Sequence, residues 1–368
     1  MIPIEYYKPA YFLLLSIILL FFLLPVLIKK PIDYIITQQK NAIFFLILTS
    51  CVLFIGLRDI NTSPKYLGDT IAYTKTFEAI KYGIKTEFTK DIGFYVFMKF
   101  FTFFTNVKVF YVVCALMYCL LPYYMFKKHF GNLGVYIFIA YVVSFSFLPF
   151  GINGVRNGLA VAIFLYALMF FEKKWLMYAM MLLSVSFHKA MLLPLLAFVT
   201  SSLFLKKEKN ALLFWIFCIP ISLFFRSSLE SFAELIFSSD SYVQDERAST
   251  YFSDEGQKYK VSGQFRIDFI IYSAIAIFIG YWAILKKKYQ NSLYKLLFRT
   301  YLIANGIWIL LIYAPYTNRI AYLSWFLMPI ILTAPFISDI KHTISKNQTK
   351  LIYVIFGSLA FTLIMEFI

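Results

Sequence analysis

GINGVRNGLAVAIFLYALMFF (151–171), EKK (172–174) and WLMYAMMLLSVSFHK (175–189) run on from one another without a break. They read as two apolar helices joined by a short basic turn. Helices joined so tightly are antiparallel neighbours, so the far ends, which carry Arg156 and the pair His188–Lys189, lie at the same depth. On either side of this hairpin, Lys-rich turns between apolar runs alternate with turns that lack Lys clusters.

Hydrophobic residues make up 61% of the 368 residues, more than a soluble core can absorb. The apolar runs are continuous, which selects spanning helices over a barrel, whose strands alternate. Spans are expected at about 9–28, 41–57, 108–126, 132–150, 156–171, 175–188, 190–205, 211–225, 267–285, 296–313, 320–337 and 351–367. The fold class is therefore an all-α polytopic membrane protein of about twelve transmembrane helices, with 1–368 forming a single integral membrane domain. Residues 92–105 (IGFYVFMKFFTFFT) are apolar but interrupted by Lys99, and a span there would reverse the charge alternation. They are expected to form an outer interfacial or re-entrant helix.

The net charge of +16 does not point to nucleic acid, because its placement is that of a membrane protein. Lysines cluster at 29–30, 127–128, 173–174, 206–207 and 286–288, in the pattern of cytoplasmic anchoring turns. The long segments 58–107 and 226–266 are richer in acids and are expected outside, as are both termini. The four cysteines, Cys51, Cys114, Cys119 and Cys218, sit within apolar runs as small buried hydrophobes.

The outward ends carry the chemistry. Arg58 and Asp59 come after the second span, and Asp69 and Tyr73, four residues apart, share a helix face. Arg156, with Gly154, Asn157 and Gly158 around it, opens the fifth span, and His188–Lys189 closes the sixth. Arg266 and Asp268 stand at the mouth of the ninth, and Arg319 and Tyr322 at that of the eleventh. Outward arginines run against the positive-inside tendency and call for an anionic partner. The guanidinium fork matches phosphate oxygens in two contacts, so a lipid-anchored diphosphate fits. His188 is the expected general base, with Asp69 as the competing one; Arg156 is placed with them in catalysis, because arginine can stabilise a departing diphosphate without a metal. Diphosphate or substrate contacts are assigned to Arg58, Tyr73, Asn157, Lys189, Arg266, Arg319 and Tyr322. No outward metal-ligand set and no cofactor motif is present in the sequence. Plainer roles stay open: Arg58 paired with Asp59 or reaching headgroups, Asp69 as a helix cap, His188 as an interhelical hydrogen-bonder, Arg266 and Arg319 as headgroup anchors.

At these residues the chain resembles the EpsG-type polysaccharide polymerases, relatives of the Wzy O-antigen and capsule polymerases. The resemblance rests on GLRD (56–59) and then GDTIAY (68–73), VRNGLAVAIFLYAL (155–168), SFHKAMLLPL (186–195) and NRIAYL (318–323), in that order. The family commonly has a small residue after the histidine, where this chain has Lys189. The resemblance implies a GT-C-like helical glycosyltransferase of the bacterial inner (cytoplasmic) membrane. It would join undecaprenyl-diphosphate-linked oligosaccharide repeat units at the periplasmic or outer face, beside a flippase and a chain-length regulator. The competing classes are a flippase or transporter for the same units, an O-antigen ligase and an O-acyltransferase.

Overall fold

A computed structural model describes residues 3–27, 32–62, 64–84, 91–231, 265–314, 317–338 and 344–367. The described residues form helices joined by turns and short loops, without a strand. In chain order the helices are α1 (Tyr7–Leu27), α2 (Ile32–Cys51), α3 (Pro64–Leu67), α4 (Thr70–Lys81), α5 (Ile92–Thr102), α6 (Val107–Phe130), α7 (Gly134–Val142), α8 (Phe147–Ile152), α9 (Val155–Ala167), α10 (Lys174–Phe187), α11 (Leu192–Leu203), α12 (Glu208–Phe224), α13 (Ile267–Leu285), α14 (Ser292–Leu310), α15 (Thr317–Trp325), α16 (Met328–Ser338) and α17 (Ile344–Phe367). Among the described residues, five stretches are long and apolar enough to cross a membrane: Ile4–Leu23, Val107–Val142, Ile267–Leu285, Thr317–Ile337 and Thr349–Phe367. Shorter apolar helices include Asn41–Gly56, Val155–Phe170 and Lys174–Phe187. The protein is an all-helical membrane protein. Most of the segment 226–266, expected as an outer loop, lies outside the described residues.

Two expected helices are broken. The run 132–150 divides into α7 and α8 around Val143–Ser146. Ser144 Oγ donates to the Tyr141 carbonyl at 2.7 Å, and the Phe147 N–H turns back to the Ser144 carbonyl at 3.0 Å. Serine side chains offer the backbone an alternative to helical bonding, which ends the helix here. The run 320–337 divides between α15 and α16 just before Pro329. Proline has no N–H to give and is accepted in the first turn of a helix.

The chain forms two compact units, Met1–Met191 with Thr333–Ile368, and Leu192–Leu332. In the first unit, α9 is apolar nearly all round and buried between α6 and α10. In lipid, close packing replaces the hydrophobic drive, and small residues make it possible. Gly158 meets α8 so closely that an added Cβ would lie 2.7 Å from the Phe150 carbonyl oxygen. Gly151 meets Ile55 in the same way, at 2.7 Å. Past Cys51, α2 continues as a π turn over Val52–Gly56. Such turns add a residue to the coil and re-aim the chain beyond them; here that chain is Leu57 and then Arg58.

The second unit packs α11, α12, α13 and α15 around α14. Its interior is held by one amide. Asn305 Oδ1 accepts from Trp215 Nε1 at 2.7 Å, and Asn305 Nδ2 donates to Ser273 Oγ at 3.1 Å and Ser324 Oγ at 2.9 Å. Ser273 Oγ also accepts from Trp325 Nε1 at 2.8 Å.

Candidate functional site

The α9–α10 hairpin forms as expected, and its register can be read from one bond: Ser184 Oγ donates to the Ala160 carbonyl at 2.7 Å. One turn further along, the same pairing brings Arg156 opposite His188. They meet on a third residue. Arg156 NH1 donates to Asp91 Oδ2 at 2.8 Å, His188 Nδ1 lies 3.2 Å from the same oxygen, and the Lys189 N–H donates to Asp91 Oδ1 at 3.1 Å. Asp91 stands at the N-terminus of α5, but its side chain makes no capping bond to that helix. It is only 4% exposed. Burial pushes its carboxyl up, but the hydrogen bond and charge of His188, the Arg156 charge and the Lys189 N–H outweigh burial and hold it below the usual carboxylate range.

What seats Asp91 there is packing between α5 and α10. Phe187, next to His188, lies against Phe97 and Phe94, with ring centroids 5.5 and 6.4 Å apart. Gly93 lets the start of α5 come down on the end of α10: a Cβ at Gly93 would sit 2.2 Å from Ser186 Oγ and 3.0 Å from the Ser186 carbonyl carbon.

The start of α4 borders the same cluster. Arg156 Nε donates to the Tyr73 hydroxyl at 3.3 Å. Gly68 has φ +53°, in the left-handed region that glycine tolerates, and Asn153 Oδ1 occupies the space a Cβ would need. That same oxygen accepts the Asp69 N–H at 3.0 Å. Asp69 holds the N-cap position, but its side chain makes no capping bond, so the expected cap is absent. Its carbonyl accepts the Tyr73 N–H at 3.1 Å, which sets the two residues on one face.

Arg58 is the most buried charge of the group, at 3% exposure. It neither pairs with Asp59 nor reaches outward. Asp59 is occupied by the Asn61 N–H at 3.0 Å and Thr62 Oγ1 at 2.8 Å, which hold it below the ordinary carboxylate range. The Arg58 guanidinium instead stacks 3.9 Å above the Tyr111 ring, gives Nε to Thr70 Oγ1 at 2.9 Å, and gives NH1 to the Ile55 carbonyl. Its NH2 is buried and has no hydrogen-bond partner among the described residues. Thr70 is held in turn by Tyr111, whose hydroxyl donates to the Thr70 carbonyl at 2.8 Å. Arg58, Asp69, Tyr73, Asp91, Arg156 and His188 thus form one connected neighbourhood around the start of α4.

Other expected site residues stand elsewhere. Asn157 comes directly after Arg156 but, one helical position on, turns inward; it is buried, with no partner for Oδ1 among the described residues. The Lys189 side chain is exposed, and its contribution to the cluster is its backbone N–H. Arg266, Arg319 and Tyr322 belong to the second unit. The Arg266 fork is spent on Asp268, at 2.9 and 2.6 Å, and covers the Phe269 ring. Asn318 donates to the Tyr322 hydroxyl at 3.4 Å, and Arg319 is exposed. Among the described residues, no three His, Cys, Asp or Glu side chains gather as a metal-holding group. Asp91 is the residue that sequence reasoning missed. It precedes the aromatic run that was expected to be interfacial, and that position at the start of a half-buried helix was its one available signal.

The fold is that of a helical membrane protein, and its first unit gathers two guanidinium groups, one of them buried with an unspent donor of its own, and an imidazole held by a carboxylate. The chain belongs to the EpsG family, whose model matches residues 41–367. Membership implies a glycosyltransferase-like polysaccharide polymerase. No curated protein and no solved structure is significantly similar to it.

Proposed function

We propose that this protein polymerises undecaprenyl-diphosphate-linked oligosaccharide repeat units into a surface polysaccharide. The reaction would take place at the outer face of the cytoplasmic membrane, in a GT-C-like body of about twelve spans. The observation that carries this reading is Arg58: a guanidinium 3% exposed, with no carboxylate paired to it and one nitrogen unspent among the described residues. Burying a charge without a counter-charge costs several kcal/mol. A diphosphate oxygen supplies the missing charge and the missing acceptor together. Arg156, half-buried nearby, is the second diphosphate ligand.

In the reaction, the hydroxyl at the non-reducing end of one lipid-linked unit attacks the anomeric carbon of the growing chain. A carbon–oxygen bond forms as the bond from that carbon to the diphosphate breaks. The electron pair leaves with the diphosphate, where arginine stabilises it, and the hydroxyl proton goes to His188, or to Asp69 as the competing base. A flippase feeds the site and a chain-length regulator accompanies it.

The test is polymerisation by purified protein in nanodiscs with a defined lipid-linked repeat unit. A ladder of products is expected from the wild type, and single units only from His188→Ala. Unaltered single units from the folded wild type would remove the polymerase reading and favour transport.

A further inference from the structure

We infer that Asp91 is the positioning residue that makes His188, and not Asp69, the base of this transfer, by holding the His188 proton on Nδ1 and leaving the lone pair on Nε2. The inference rests on the polymerase reading for its consequence, but not for its geometry.

The two Asp91 oxygens take three donors: Arg156 NH1 and His188 Nδ1 on Oδ2, and the Lys189 N–H on Oδ1. An ionised carboxylate only accepts hydrogen bonds. With Arg156 at 2.8 Å, Asp91 is ionised at neutral pH, as its depressed carboxyl also indicates. The proton in the His188–Asp91 bond therefore belongs to Nδ1. A neutral imidazole carries a single N–H, so Nε2 is left as the acceptor, and among the described residues it has no hydrogen-bond partner. Histidine bases are aimed in this way by a third group behind them.

The charged and titratable groups facing this imidazole are Asp91 at the start of α5, Arg156 at the start of α9 with Tyr73 of α4 behind it, and Lys189 on its own strand of chain. Among the described residues, only Asp91 accepts from the ring. Asp91 is itself held rigidly. Its carboxylate is used by α9 and the end of α10 instead of capping α5, and Gly93 fixes α5 against Ser186, two residues before His188.

The chain has only three histidines, His129, His188 and His342, which makes the tautomer directly observable. A double variant, His129→Gln with His342→Gln, is labelled with 15N-histidine, placed in nanodiscs, and read by 15N NMR. The expected spectrum at neutral pH has Nδ1 protonated and Nε2 bare. Asp91→Asn is expected to redistribute the proton towards Nε2, and to lower kcat by about 10²- to 10³-fold with KM changed less than about threefold. Asp91→Glu, which keeps a carboxylate acceptor, is expected to keep the Nδ1–H form, and it serves if the Asn variant does not fold. A wild-type ring protonated on Nε2, or a tautomer unmoved in Asp91→Asn, overturns the inference. A tautomer that depends on Asp91 in a protein that makes no polymer leaves the positioning intact and removes the polymerase reading instead.

Discussion

The two units each bury a polar network, and the networks differ in kind. Around Asn305, every partner is neutral. Both amide hydrogens and the carbonyl oxygen are used, and Ser273 and Trp325 close the circuit. Around Asp91 and Arg58, the members are charged, the bonds cross from loop to helix end, and one buried donor is left over. A neutral, satisfied network inside a membrane protein costs little to keep and fixes how helices meet. A charged network with an unspent donor costs stability and is kept for what it binds. The Asn305 network is thus the frame, and the Asp91–Arg58 neighbourhood is the candidate site.

The contrast is tested most severely at Arg156. Arg156→Ala is expected to lower polymerisation per folded molecule by about 10²- to 10³-fold, measured as chain ladders from a defined lipid-linked unit, and to lower the thermal midpoint as well, because buried Asp91 loses its guanidinium partner. Arg156→Lys keeps the charge but loses the fork that spans Asp91 and Tyr73, so it restores only part of the rate. The frame should show a stability defect alone. Asn305→Ala strips partners from Trp215, Ser273 and Ser324 and is expected to cost about 1–3 kcal/mol, read as a lower unfolding midpoint, with the rate per folded molecule unchanged. A catalytic defect without a stability defect in Asn305→Ala would erase the distinction between the two networks.

Much of the site was legible because helices impose arithmetic. A tight basic turn at 172–174 puts Arg156 opposite His188, and four-residue spacing puts Asp69 and Tyr73 on one face. Asp91 escaped because its one local mark, the start of an aromatic run, names no partner: its partners lie 65 and 97 residues further along the chain. Burial was equally hidden. Arg58 at a helix end reads as a surface anchor until the π turn before it and the Tyr111 ring beneath it are seen. In the fold, composition gave the helices but not their breaks, since Ser144 and Pro329 act through single backbone bonds inside runs that are apolar enough to continue.

Gly68 joins local strain to the site. Gly68→Ala puts a Cβ where Asn153 Oδ1 now stands and demands a left-handed φ from an L-residue. A cost of about 1–2 kcal/mol is expected, together with loss of the Asn153 bond to Asp69. Hydrogen exchange should then rise at the Asp69 amide while the Trp215–Asn305 network stays protected.

Acid should separate the networks next. Asp91 has a folded pKa below its unfolded value, so its contribution is complete above the unfolded carboxyl pKa of about 3.9 and is lost as pH falls through the lower folded value. The contacts of Asn305 do not titrate. Hydrogen exchange at decreasing pH should therefore show the 155–191 hairpin losing protection while α14 retains it. Asp91→Asn should make the two respond alike.

The smallest effect is expected at Lys189, where the charge and the backbone can be tested apart. The side chain is exposed, and the contact with Asp91 Oδ1 is made by the N–H, which any residue but proline supplies. Lys189→Ala should therefore leave chain length and rate within about threefold of wild type, the range expected of a partly screened surface charge. Lys189→Pro should lower the rate well beyond that, because it removes one of the three donors that hold Asp91. If Lys189→Ala proves as damaging as Lys189→Pro, the ammonium group touches the diphosphate, and the binding site extends past the end of α10 into solvent. If both are mild, two donors suffice to hold Asp91, and the weight of the cluster rests on Arg156 and His188 alone.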